Sequence, residues 1–380
     1  MVRFAALGAG AGAPRPVPCD PQRDIAVLQY TGGTTGIPKA AMLSHANLSA
    51  NCAQVDRRLP EIEAGAGMLT LVPLFHVLAM TAAMNLSVLL GLTMILLPRY
   101  DKALLRKTLA RTRPLFFPGV PTIYANINEA AAKEKWELAS IRFCVSGAAP
   151  LPAEIRTRFE ALTGCQLVEG YGLSEAAPVV AANIFGAVRD GSIGLPVEGT
   201  IVEIRGLDDP SRVLAPGELG EVCVRGPQVM LGYWNRPDET AKVMVEGALR
   251  TGDVGYIDAD GYIFLVDRIK DLIISGGYNV YPRMVEEALY RHPAVHEAVV
   301  IGIPDAKRGQ VPKAYVTLHE GASVTEAELQ AFLEEHLSPV ERPKRIEFRA
   351  SLPKTVVGKL SRKDLVAEEQ AAMAQAKAAS

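Results

Sequence analysis

No C-x-x-C pair occurs in this chain, and its cysteines do not make an even set: 380 residues carry five, irregularly spaced. That pattern excludes a zinc ribbon and does not read as a disulfide framework, so a reducing, cytoplasmic setting is expected. A basic excess is also lacking. Forty Lys and Arg stand against forty-two Asp and Glu, a net charge of -2. The electrostatic signature of nucleic-acid binding is therefore missing. What is present is a globular composition, 49% hydrophobic and 22% charged. The length allows two or three domains at about 150 residues each.

Two stretches imitate targeting or membrane signals. Residues 1–13 hold one Arg and then small apolar residues, but Gly8, Gly10 and Gly12 and then Pro14, Pro16 and Pro18 break any apolar core a secretory leader would need. The same stretch imitates a dinucleotide fingerprint in Gly8, Gly10 and Ala13. That motif needs a helix directly after it, which the prolines prevent, so a flexible leader is expected. Between Glu63 and Arg99 no charged residue occurs. Residues 77–97 are long enough to be weighed as a membrane span. Thr81, Asn85, Ser87 and Thr93 are scattered through them and Gly91 divides them, which favours a buried helix followed by a buried strand over 93–97. No transmembrane span is expected; peripheral membrane contact and oligomeric state stay open.

Along the chain, residues 25–30 read as a strand ending in a Gly/Thr-rich loop, with a helix from Ser44. A strand over 142–145, a helix over 152–162 and a strand over 166–169 alternate as α/β layers do. After Gly199, short strands at 201–205, 220–225 and 261–266 predict a small β-rich subdomain. Asp258-Ala259-Asp260-Gly261 reads as a tight hairpin, since it lacks the closing Glu of a calcium loop. Further on, 272–274, 295–303, 313–318 and 346–349 read as strands. Helices are expected from Pro282 and over 325–337, the second with Thr325 and Glu328 as a capping pair. The expected class is α/β: a large N-terminal domain (1–269) of α/β layers plus the β-rich subdomain, then a small α+β domain (270–366) across a hinge, then an Ala/Gln/Glu-rich tail (367–380) of frayed helix or disorder.

The strongest local signal is Tyr30-Thr31-Gly32-Gly33-Thr34-Thr35-Gly36-Ile37-Pro38-Lys39. Glycines let backbone N–H groups approach a phosphate, threonine hydroxyls add donors, and Lys39 adds positive charge. It is not a Walker A loop, because no G-K-[ST] follows at the required spacing. Read alone, it could equally be a solvated turn. Further segments follow in order: Pro73-Leu74-Phe75-His76, Ser146-Gly147-Ala148-Ala149-Pro150, Glu169-Gly170-Tyr171-Gly172-Leu173-Ser174-Glu175 and Arg250-Thr251-Gly252-Asp253. After these come Asp267-Arg268-Ile269-Lys270-Asp271, Ser275-Gly276-Gly277-Tyr278-Asn279 and Leu352-Pro353-Lys354-Thr355-Val356-Val357-Gly358-Lys359-Leu360. An Asp can accept hydrogen bonds from both hydroxyls of a ribose. One Glu suffices for a hard cation carried on a nucleotide, which wants oxygen ligands and one or two carboxylates. Singly, each segment has a plain reading: a core His, an Asp shaping a turn, a charged linker, a solvated Lys.

Taken in order, the segments resemble the adenylate-forming acyl-CoA synthetases, or AMP-dependent ligases, over nearly the whole chain. Their texture is most similar to the medium- and long-chain fatty acid–CoA ligases. The resemblance implies ATP, Mg2+, CoA and a fatty or other carboxylic acid as bound species. It implies that the loop from Thr31 to Lys39, with Gly32, Gly33, Thr34, Thr35 and Gly36, grips the β- and γ-phosphates. Gly147, Ala148 and Ala149 would line the adenine slot with Glu169, Gly170 and Gly172, and Tyr171 would stack on the base. Ser174 would reach the α-phosphate, Glu175 and Thr31 would hold Mg2+, and Asp253 and Arg268 would hold the ribose. Lys270 would be the hinge pivot, and Gly276 and Gly277, on a strand of the small domain, would line a pantetheine tunnel. Lys359 and Glu175 would stabilise charge during adenylation, with Lys39 and with His76, which would gate the acyl carboxylate.

The chain departs from the pattern at Ala40, where glycine is usual, and at Ser174, where threonine is usual. The large N-terminal subdomain that precedes the loop in relatives is expected to be missing. The implied activity is ATP-dependent acid:CoA ligation through an acyl-adenylate. An acyl-AMP ligase that loads a carrier protein, and a non-catalytic nucleotide-binding fragment, are the alternatives.

Overall fold

The computed structural model describes residues 17–31, 38–354 and 360–378. Two antiparallel strands come first, β1 (Ile25–Thr31) and β2 (Lys39–Ser44), with Thr31 opposite Lys39. The expected leader and the segment from Gly32 to Ile37 lie outside the described residues. Ser44 ends β2 and caps α1 (His45–Asp56). Its hydroxyl accepts from Asn47 N at 3.1 Å, while Asn47 Oδ1 accepts from Ser44 N at 2.9 Å.

Short apolar runs alternating with helices fold as a parallel sheet covered on both faces. Here the runs are β3 (Gly67–Thr70), β4 (Thr93–Leu96), β5 (Phe116–Gly119), β6 (Phe143–Ser146) and β7 (Gln166–Gly172). The helical path α2 from Val77 to Leu90 joins β3 to β4, and its middle turn, Met80–Asn85, is π-helical. The later crossovers are α3 (Lys102–Thr112), α4 (Pro121–Lys133) and α5 (Ala153–Thr163). The sheet order is β4-β3-β5-β6-β7, continued antiparallel by β8 (Val179–Ala182) and β9 (Leu195–Pro196). Between this sheet and its helices Tyr124 packs edge-to-face with Phe117 and Phe159, all three fully buried, and donates its O–H to Phe117 O at 2.8 Å.

The apolar stretch 77–97 is a helix and then a strand, as expected, but it is not buried throughout. Leu86 is fully buried, whereas Val88, Leu89 and Leu96 are 77%, 53% and 55% exposed. The reason for Leu96 is position: β4 is an edge strand. Among the described residues no helix is long and apolar enough to cross a membrane.

A second, antiparallel sheet orders β10 (Ile201–Arg205), β11 (Gly220–Arg225), β13 (Ala248–Ile257) and β12 (Met244–Val245), with β14 (Ile263–Arg268) on β13. Helix α6 (Pro237–Val243) precedes β12. The turn between β13 and β14 is the expected hairpin, with Asp258 Oδ1 accepting from Asp260 N and Tyr262 N. α1 ties this sheet to the first. Its buried amides Asn47, Asn51 and Gln54 lie on one face. Asn47 donates to Pro227 O and Val229 O, Asn51 exchanges hydrogen bonds with the Val179 backbone on β8, and Gln54 donates to Glu198 O.

The C-terminal unit begins after the 3₁₀ turn Ile269–Asp271. It contains β15 (Ile273–Ser275), β16 (Tyr278–Val280), α7 (Pro282–Tyr290), β17 (Val295–Asp305), β18 (Gly309–Leu318), α8 (Glu326–Glu334), β19 (Arg345–Phe348) and α9 (Arg362–Ala378). Thr325 and Glu328 form the expected capping box. The tail is helix from Arg362 onward rather than from Ala367, anchored where Lys313 and Tyr315 both reach Glu369.

Candidate active site

In open α/β sheets ligands gather outside the carboxyl ends of parallel strands, where the strand order reverses. Here β4 lies on one side of β3 and β5 on the other. Residues 73–76 follow β3, residues 146–150 close and follow β6, and residues 169–175 end β7, so three of the singled-out segments sit at such ends. His76 caps α2, its Nδ1 accepting from Leu78 N at 3.3 Å. Ala148 takes a left-handed φ of 67° in the turn after β6. Gly172 allows a close approach: a Cβ there would lie 2.3 Å from Pro178 O.

Glu175 sits in the 3₁₀ turn Ser174–Ala176, which packs against β1 and β2. Its backbone carbonyl accepts from Met230 N at 2.8 Å, and its Oε1 accepts the Tyr233 O–H at 2.7 Å. The segment holding Tyr233 runs alongside β2, with Leu231 N donating to Met42 O and Trp234 N to Ala40 O. Ala40 is buried in that pairing. Lys39 Nζ lies 5.2 Å from the centre of the Tyr233 ring and is ion-paired with Glu239 on α6. Burial, and then the Glu175 carboxylate, hold the Tyr233 phenol well above its ordinary value, so it stays a donor. Thr31, Lys39 and Glu175 are thus brought together by neighbouring elements. Sequence reasoning missed Tyr233; its signal was an aromatic pair, Tyr233-Trp234, between Gly232 and Pro237.

Asp253 lies in β13 and is 6% exposed. Its Oδ2 accepts the Tyr171 O–H at 2.5 Å, and its Oδ1 pairs with Arg268 Nε at 3.0 Å. Tyr171, expected to face a base, thereby also links the end of β7 to this carboxylate. Glu221 braces the irregular stretch of β13 before Asp253, where Gly252 takes a left-handed φ of 73° and the register with β11 shifts. It pairs with Arg250 at 2.7 Å and accepts from Gly252 N at 3.1 Å, and it is nearly fully buried. Sequence reasoning missed Glu221 too; its signal was a lone acid in a strand whose next three residues, Val222 to Val224, are apolar.

Glu169 accepts from Leu151 N at 3.3 Å. Burial pushes its carboxyl up to about 7, opposed by Arg283 on α7. Burial lowers Lys270, and the neighbouring Arg268 lowers it further. Gly276 and Gly277 are not strand residues. They form the two-residue turn between β15 and β16 with φ of 60° and 86°, the left-handed pair that a tight hairpin requires. That turn is exposed, with Tyr278 67% accessible. Lys359, like Gly32, Gly33, Thr34, Thr35 and Gly36, lies outside the described residues.

Residues 3–234 match the model of the AMP-binding enzyme family, and residues 284–359 match the AMP-binding enzyme C-terminal domain. The chain belongs to the AMP-binding enzyme family. It is 50% identical over 352 residues to a long-chain-fatty-acid–CoA ligase of Bacillus subtilis, an alignment covering 92% of this chain and 63% of that protein. The ATP-bound crystal structure of MatB from Rhodopseudomonas palustris matches with a TM-score of 0.88 at 31% identity, covering 96% of this chain and 71% of the other. The apo crystal structure of MatB matches at 0.77, at 30% identity and 96% and 72% coverage.

Proposed function

We propose that the chain carries the machinery of an ATP-dependent carboxylic acid:CoA ligase with fatty acids as the acid class, acting in the cytoplasm. The carrying observation is the convergence of Tyr171, Asp253 and Arg268 in one cluster and Glu175, Tyr233 and Lys39 in another, both beside the carboxyl end of β7. The acid class rests on the 50% identity to the long-chain ligase.

In this reading the acid's carboxylate oxygen attacks the α-phosphorus of ATP, and the bond to pyrophosphate breaks. The CoA thiolate then attacks the acyl carbonyl, and AMP leaves. No protein nucleophile is required; the residues position and stabilise charge. Asp253 takes the ribose hydroxyls, Arg268 holds Asp253, and Lys39 faces the phosphates from the root of their loop. Lys359 neutralises charge as the acyl-phosphate bond forms, and Lys270 is the pivot between a large domain (1–269) and a small one (270–366). The donors at the cation position, one carboxylate on Glu175 and the Thr31 hydroxyl, are all oxygen and suit Mg2+ borne by the nucleotide. Bound there, the cation would offset phosphate charge.

The test is pyrophosphate release by the purified chain with Mg·ATP and acids from acetate to stearate, with and without CoA, beside Lys359→Ala. Acid-dependent release that needs CoA for turnover, and that collapses in the variant, is expected. A folded chain that binds ATP yet releases no pyrophosphate with any acid overturns the reading.

A further inference from the structure

Arg362 opens α9, three residues after Lys359. Its guanidinium meets three carboxylates from three parts of the chain. Nη2 and Nε reach both oxygens of Glu286 on α7, at 2.6 and 3.2 Å. Nη1 donates to Asp271 at 3.2 Å, at the end of the connecting 3₁₀ turn, and lies 3.6 Å from Asp267 Oδ1 on β14. Asp267 belongs to the second sheet, yet its Oδ2 accepts from Arg283 N at 2.7 Å in the first turn of α7. Tyr281, the residue before α7, supplies no side-chain cap. Asp267 therefore caps a helix of the C-terminal unit from outside that unit.

The arrangement is asymmetric. Glu286 and Arg362 both belong to the C-terminal unit and form a two-pronged mount within it. Asp267 stays behind if the unit turns about the 269–271 segment. The Asp267 side chain is 1% exposed, and burial raises its carboxyl while Arg362 is the strongest influence opposing that. A buried carboxylate left without its cation is costly, so the guanidinium holds the two units against each other. The orientation it holds sets Arg362, at the start of α9, against Asp267, whose chain neighbour Arg268 pairs with Asp253. The Gly276–Gly277 turn faces solvent.

Resting on the ligase reading, we propose that Arg362 is a positioning residue. It latches the C-terminal unit, and with it the Lys359 loop, in the orientation for acyl-adenylate formation, through Asp267 and Asp271. Releasing the latch is part of passing to the CoA step.

The experiment compares wild type with Arg362→Gln, Arg362→Lys and Asp267→Asn, the last leaving the Glu286 mount intact. Three readouts are taken: acid-dependent exchange of pyrophosphate into ATP, acyl transfer from preformed acyl-adenylate to CoA, and amide hydrogen exchange in the first turn of α7. In Arg362→Gln and Asp267→Asn, pyrophosphate exchange should fall about tenfold or more, as breaking a buried ion pair predicts. Acyl transfer should hold within about twofold of wild type, and α7 first-turn amides should exchange about tenfold faster while β17 and β18 stay protected. Arg362→Lys should be intermediate, since an ammonium cannot make the fork. Equal losses in both half-reactions, or unchanged α7 protection, overturn the latch. If the wild type itself shows no exchange with any acid, the ligase reading fails. Amide exchange then decides the latch alone: faster α7 amides in Asp267→Asn support it, and unchanged ones overturn it.

Discussion

The Tyr233 hydroxyl donates to Glu175 Oε1 at 2.7 Å, and the same tyrosine ring lies beneath the Lys39 ammonium. One side chain thus fixes the carboxylate proposed for the cation and the lysine at the root of the phosphate loop. A partner that orients a metal-binding carboxylate typically matters about as much as tens of fold in metal affinity. Tyr233→Phe keeps the ring and removes only the O–H. Titration of Mg2+ in the pyrophosphate assay should show the half-saturating concentration rise about tenfold, with Tm nearly unchanged. An unchanged Mg2+ requirement would refute this orienting role.

Glu169 sets a pH dependence. Burial moves its carboxyl from 4.5 to about 7. Across that interval the native chain holds a proton that the unfolded chain releases. Stability from this group therefore falls as pH rises through it. Glu169→Gln is neutral throughout, so its Tm minus that of the wild type should grow between about pH 5 and about pH 8. A constant difference across that window would contradict the assignment.

Glu221 pairs with Arg250 and holds the Gly252 amide, and its side chain is nearly fully buried. Glu221→Gln breaks the ion pair and should cost about 3 kcal/mol in urea unfolding. It should also weaken nucleotide binding, because the stretch of β13 presenting Asp253 loses its brace. Loss of stability with ATP affinity intact, measured by calorimetry, would separate this brace from the site.

Leu86 and Leu89 share the end of α2 but not its environment. Leu86→Ala should cost about 3 kcal/mol, as truncation in a packed core does. Leu89→Ser should change stability by less than about 0.5 kcal/mol, as an exposed substitution does. Comparable losses in chemical unfolding would mean that Leu89 is covered in solution.

The α/β class and most strands were legible because buried runs and turn residues are local signals. Residues 201–205 and 220–225 even keep their limits. Thr325 and Glu328 announced their helix because a capping box is written in four consecutive residues. The exposure of Leu96 was not legible, since being on a sheet edge depends on which strands pair, not on what each is made of. For the same reason Tyr233 and Glu221 were missed: their partners, Glu175 and Arg250, lie 58 and 29 residues away. Gly276 and Gly277 were read as strand; two left-handed residues in succession make a turn.

Helix α1 has a consequence for how the molecule comes apart. Its three buried amides reach backbone carbonyls on β8, after β9 and after β11, so the two larger sheets share one row of hydrogen bonds. Neither sheet can loosen at that seam without stranding amides that have no water to turn to. The two sheets should therefore lose amide protection together, as a single cooperative block. The C-terminal unit, joined to them by one pass of the chain and by the contacts of Asp267 with Arg362 and Arg283, is built to open separately once those contacts break.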